Sequence, residues 1–280
     1  MAITPPPPRR LPSGRPIIAP LPASLQKAGI TRLEHRARPA RAKLSWNIFG
    51  LEKEGKTRTA LTGPGPVMVI DLDDGLGIHD QGLLAPGRVL VVSVKHPTMA
   101  GGKQACAVEI TRAAEAINAA IATPAVRSLV VDAHIDLYNL HKLALLGTLT
   151  PKPVARIGAV NHEHRGLLRS AISSHLNTVF INRMRDEWVN DEPTGRLVPQ
   201  QWKELPFLVD VNAQAWRDPE AVANEAPIAE QFRLTIMSCR PRPDLVGETF
   251  SGAMCSIPML SAMILADTAG DSDFEDGDPL

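Results

Sequence analysis

From Leu44 to Ala266 the chain alternates between two apolar patterns. Leu44-Ser45-Trp46-Asn47-Ile48-Phe49 alternates in polarity, as a strand does, and runs into a glycine-containing turn. Val67–Ile70 and Arg88–Val94 are continuous apolar runs, which predict strands buried on both faces. Val126–Val131 is a third such run and ends at Asp132. Thr178–Ile181, Phe207–Val211 and Phe232–Met237 predict further strands. Between them the period lengthens to that of a helix. Residues 104–122 place Ala107, Ile110, Ala114, Ile117 and Ile121 on one stripe, and residues 136–146 are also helical. Residues 161–175 put Leu167, Leu168 and Ile172 together in the same way, and Thr57–Leu61 predicts a short helix after the first strand. Strands alternating with helices predict an α/β fold with a mainly parallel, doubly wound sheet. No internal repeat is visible.

The ends of the chain break both patterns. Eight prolines fall within the first 22 residues, a composition that favours extended polyproline geometry over helix or sheet. Residues 1–43 carry nine Lys and Arg side chains against the single acid Glu34, whereas residues 266–280 carry six acids and no base. The formal net charge of zero therefore hides a basic arm and an acidic tail, both expected to be disordered. The expected organisation is an arm over 1–43, a domain over 44–266 and a tail over 267–280.

Cys106, Cys239 and Cys255 are widely spaced and form no C-x-x-C pair, so neither a zinc site nor a disulfide framework is expected. His162 and His164 have no cysteine nearby and predict no metal site. No apolar run reaches membrane-spanning length, and the N-terminus lacks the apolar core of a secretory signal. A reducing, cytoplasmic setting is expected, that of the host if the chain is phage-encoded.

Residues 50–57 read Gly-Leu-Glu-Lys-Glu-Gly-Lys-Thr and match G-x-x-x-x-G-K-S/T, the phosphate-binding loop. In such a loop the backbone N–H groups of Gly50, Leu51, Glu52, Lys53, Glu54 and Gly55, and of Arg58 in the opening helix, surround phosphate oxygens. Lys56 reaches the β- and γ-phosphates, and the Thr57 hydroxyl ligates Mg²⁺. The other reading is a glycine-rich turn with a surface lysine. ATP and Mg²⁺ are the expected ligands.

Hydrolysis needs two more parts. Asp132, at the end of a buried strand, suits an acid that holds Mg²⁺ through water, though the same position suits a helix cap. Asp71, Asp73 and Asp74 close another strand, at the edge of an open α/β sheet where ligands bind. One of them is the expected base, the other reading being a solvated turn. Asn182 and Arg183 end a further strand, where they suit a γ-phosphate sensor. Arg183 and Arg185 equally suit contact with a nucleic acid, and the other reading is a solvated strand end.

In this order of motifs the chain resembles the RecA-type ATPase core, and is similar to phage-encoded AAA-domain nucleotide-binding proteins linked to single-strand annealing and recombination. The resemblance covers roughly residues 44–250, including Gly158–Leu168 and the run from Asn182 to Pro206. It implies a RecA-like P-loop fold with Asp73 as the catalytic carboxylate, a glutamate in RecA itself. Aspartate is one methylene shorter, which implies weak turnover. Arg183 stands where RecA has a glutamine that couples ATP to DNA. The DNA-binding loops would fall near 148–163 and 185–203, which carry Lys152, Arg156, Arg185, Arg196 and Lys203 together with Trp188 and Trp202. Bases and aromatics suit backbone tracking and base stacking, and either tryptophan suits a core position as well. The resemblance also implies a ring or filament, with a neighbour's arginine completing the site; Arg240 and Arg242 are candidates. The tail, ending Asp278-Pro279-Leu280, resembles the acidic tip of bacterial single-stranded-DNA-binding proteins, with leucine in place of the terminal phenylalanine. That tip implies a replication protein as partner, the other reading being an acidic solubilising tail.

The expectation is an ATP-binding, hydrolysing protein that binds single-stranded DNA in phage recombination or replication. Two other functions compete: an ATP-switched adaptor that hydrolyses little, and an ATPase acting on protein.

Overall fold

The computed structural model describes residues 43–76, 85, 87–95, 102–150 and 157–266. Contacts divide the chain after Pro39, and these residues all belong to the second unit. Lys152, Arg156, the basic arm up to residue 42 and the tail with Asp278, Pro279 and Leu280 lie outside them.

Strand β1 (Ser45–Gly50) leads through the loop into α1 (Lys56–Leu61) and β2 (Val67–Asp71). Then come β3 (Val89–Ser93), α2 (Gly102–Ala122), β4 (Ser128–Asp132), α3 (His134–Leu146) and α4 (Ile157–Ser173). A long β5 (Asn177–Val189) turns back as β6 (Glu192–Gln200), followed by α5 (Leu205–Leu208) and β7 (Val211–Arg217). The short α6 (Pro219–Ala223), β8 (Phe232–Cys239), β9 (Thr249–Ser251) and α7 (Ile257–Ala266) complete the fold.

The chain is α/β. Nine strands form one sheet among the described residues, in the order β3-β2-β4-β5-β1-β7-β8-β9, with β6 attached to β5. The six from β3 to β7 are parallel, and β6, β8 and β9 pair antiparallel. One face is covered by α2, α3 and α4 around Ile117, Leu129, Leu137, Leu168 and Phe180. The other is covered by α1 and α7 around Trp46, Ile48, Leu61, Leu234 and Ile264. Burial on both faces is why β4 reads Ser-Leu-Val-Val-Asp without alternation. Leu168 is fully buried in the first cluster, and Leu168→Ala would cost roughly 2–5 kcal/mol by transfer and cavity.

Four elements depart from expectation. β3 is an edge strand with Leu90 and Val91 exposed, not a doubly buried one. The strand expected at 207–211 begins at Val211, because Pro206 near the first turn of α5 favours a helical start there. Helix α4 opens at Ile157 rather than Asn161. The stretch 185–203, expected as a loop, is largely the β5–β6 hairpin. Its turn is two residues, Asn190 and Asp191, both at positive φ, the geometry that matches strand twist.

Candidate functional site

The strands deliver their carboxyl ends to one edge of the sheet, and the motif residues collect there. β1 ends at Gly50, in register with Arg183 of β5; β2 ends at Asp71, in register with Asp132 of β4. The loop after β1 admits only glycine at two places. A Cβ on Gly50 would run into the Ala215 carbonyl oxygen on β7. Gly55 has φ +80°, and a Cβ there would lie 2.7 Å from the Phe232 ring. Leu51, Glu52 and Lys53 are exposed at the loop's crest, with Lys53 also at positive φ. Glu54 turns back to accept the Leu51 N–H at 2.5 Å. Arg58 is half-buried in α1.

The Lys56 side chain is buried and donates to the Leu51 carbonyl within the loop. Burial lowers its pKa, opposed by the charges of Asp132 and Glu54. Thr57 donates to Asp132 Oδ2 at 2.6 Å. Asp132 is buried, and desolvation pushes its carboxyl up to about 6 despite that hydrogen bond. It does not cap α3: the cap position is Ala133, with no side-chain cap bond. Asp71, beside it, is buried and likewise raised by desolvation, while its Oδ1 accepts the Asp73 N–H at 3.2 Å. Two buried carboxylates thus stand side by side with Lys56 nearby, an arrangement that favours a cation.

Asp73 lies just past the end of β2, exposed, and pairs with Arg183. Arg183 also approaches Asp136 in the first turn of α3 at 3.5 Å. Asp74 is exposed at positive φ. Asn182 is fully buried, its Nδ2 donating to Asn47 at 2.8 Å and its Oδ1 3.4 Å from His134. Arg183, not Asn182, therefore faces Asp73.

Asn182 belongs to a buried polar chain that sequence reasoning missed. His141 and His164 are joined at 2.9 Å, and His164 and His134 at 3.0 Å. Beyond Asn182, Asn47 donates to Gln201 at 2.7 Å and to Asn212 at 2.8 Å, and Asn212 donates to Ser238 at 2.7 Å. Burial holds His134 and His141 down at about 4, and His164 well below its ordinary value. A neutral chain uses one tautomer at each histidine, so every link has one donor and one acceptor. The available signal was three asparagines inside otherwise apolar strands. His162 is exposed and takes no part.

The remaining candidates lie apart from the loop. Arg185 and Arg196 project from the hairpin, and Arg196 approaches Glu187 at 4.0 Å. Lys203 is exposed beyond it, whereas Trp202 is buried, edge-on to His164. Arg240 donates to the Phe207 carbonyl at 2.8 Å, and Arg242 pairs with Asp244 at 2.7 Å. Among the described residues no group of three His, Cys, Asp or Glu side chains is gathered to hold a metal unaided. No described helix is long and apolar enough to cross a membrane. No protein-family model and no curated protein matches the chain.

Proposed function

We propose that the chain is a RecA-like P-loop ATPase that binds Mg²⁺-ATP and acts on single-stranded DNA in recombination or replication. The observation that carries this reading is the Thr57–Asp132 hydrogen bond at 2.6 Å, made beside Lys56 beneath a loop of the phosphate-binding sequence. Thr57 in the first turn of α1 and Asp132 at the end of β4 come from separate elements and meet.

The residues suit the ligand. Thr57 and Asp132 are hard oxygen donors and would hold Mg²⁺ together with substrate phosphates and water, as this ion prefers. Bound there, the ion neutralises phosphate charge. Lys56 exchanges the Leu51 carbonyl for phosphate oxygens, and the loop N–H groups supply the remaining donors. Asp73 orients water and accepts its proton once Arg183 releases it, and Arg183 then faces the terminal phosphate. DNA contact is assigned to Arg185 and Lys203, with Lys152 and Arg156.

One observation favours the adaptor reading. Asp73 is paired with Arg183, and an occupied base is consistent with an ATP switch that turns over slowly. ATPase assays with and without single-stranded DNA separate the two. Stimulation by DNA supports the enzyme, binding without turnover supports the switch, and turnover indifferent to DNA removes the DNA role.

A further inference from the structure

Two charged side chains close on one residue of the loop after β1. Glu54 is half-buried and folds back three positions, so that its Oε2 accepts the Leu51 N–H at 2.5 Å. The same oxygen stands 2.9 Å from where a Cβ on Gly50 would lie, which packs it against the first glycine of the loop. Leu51 also offers its carbonyl, and this accepts from the buried Lys56 ammonium. Both polar backbone groups of Leu51 are thus taken by side chains of the loop itself, one of each sign. Glu52 and Lys53, by contrast, are exposed at the crest. Lys53 lies inside the turn that the Glu54–Leu51 contact closes, and its φ of 61° is a strained conformation for a residue with a side chain.

The chemistry of these groups makes the closed loop a competitor of its ligand. A phosphate-binding loop works by keeping backbone N–H groups and a lysine ready for phosphate oxygens. Here a carboxylate, itself an oxyanion, fills one of those N–H groups, and the lysine is turned onto a carbonyl. A hydrogen bond to an ionised acceptor is about twice as strong as a neutral one. An incoming phosphate displaces it by supplying more negative charge: it repels Glu54, takes the Leu51 N–H and draws Lys56 onto itself.

We propose that Glu54 is a latch, whose carboxylate holds the Leu51 N–H of the empty loop in place of a phosphate oxygen and must leave before a polyphosphate is seated. The proposal rests on the nucleotide reading of the loop. A site that is open only part of the time has its apparent affinity reduced by the open fraction, so a latch closed for about nine-tenths of the time weakens binding about tenfold.

Calorimetric titration of Mg²⁺-ATP and of pyrophosphate into the full chain, as wild type, Glu54→Gln and Glu54→Ala, at 50 and 500 mM salt, tests it. Both variants bind both ligands about three- to tenfold more tightly than the wild type. The gain persists at 500 mM salt, where repulsion at a distance is screened and competition for a donor is not. A second readout needs no ligand: the Leu51 amide proton of the empty wild type carries the downfield shift of a hydrogen bond to a carboxylate, and Glu54→Ala removes it. A wild type that binds, with variants that bind equally or more weakly, overturns the latch and leaves the nucleotide reading standing. A gain confined to 50 mM salt overturns it, as does a Leu51 amide shift unchanged in Glu54→Ala. If wild type and variants alike bind neither ligand, the nucleotide reading fails and the latch fails with it.

Discussion

Replacing Thr57 with valine keeps the shape of the side chain and removes the donor to Asp132. In the folded protein Asp132 is buried, and among the described residues its carboxylate accepts a side-chain hydrogen bond from Thr57, at 2.6 Å. A hydrogen bond to a charged group contributes about 1.5–3 kcal/mol, and a neutral one about 0.5–1.5. The carboxyl titrates in the folded protein at about 6, above its ordinary 3.8. A raised carboxyl destabilises the fold as pH climbs through that value, because ionisation is then harder in the folded state than in the unfolded one. Thr57→Val raises the folded value further. The variant should therefore lose about 1.5–3 kcal/mol at pH 8, where Asp132 is charged, and about 0.5–1.5 kcal/mol at pH 5, where it is protonated. Urea unfolding of wild type, Thr57→Val, Asp132→Asn and the double variant at both pH values measures this as a cycle. The buried histidines lose stability in the opposite direction, as pH falls from about 6.5 toward 4, but they are common to all four proteins and cancel. Equal costs at the two pH values, or a coupling near zero at pH 8, would refute the pairing.

Lys56→Ala should lose Mg²⁺-dependent nucleotide affinity, with the fold retained by circular dichroism. Asp73→Asn should keep ATP and lose hydrolysis, and Asp74→Asn should behave as wild type; the reverse result would move the base by one residue. Replacing Arg185 and Lys203 with alanine should lower the salt dependence of single-stranded-DNA binding by up to about two phosphate contacts, measured by titration across salt concentrations. Leu280→Ala should abolish pull-down of a host protein that recognises acidic tips, and unchanged capture would leave the tail a simple electrostatic screen.

The turn over 50–57 was legible because Gly50 and Gly55 stand where a Cβ does not fit, and β2 and β4 because a strand buried on both faces has nowhere to put polar residues. The sequence could not show that Asp132 meets Thr57 rather than capping α3, since that depends on β5 separating their strands. β6 was missed because Glu192-Pro193-Thr194-Gly195 reads as loop, and only pairing with β5 extends it. β3 misled because its apolar run implied two covered faces while the topology left it at an edge. Of the histidine–asparagine chain only the asparagines in apolar strands showed in the sequence, because residues 47, 134, 164 and 182 share no local pattern and only the sheet brings them together.

Titration of Mg²⁺-ATP into the full chain by isothermal calorimetry, with Lys56→Ala and an excess of chelator as parallel arms, tests the central claim most directly. The account predicts saturable binding by the wild type, weakened by chelation and lost in Lys56→Ala. Equal heats from wild type and Lys56→Ala, or no binding by a folded wild type, would contradict it.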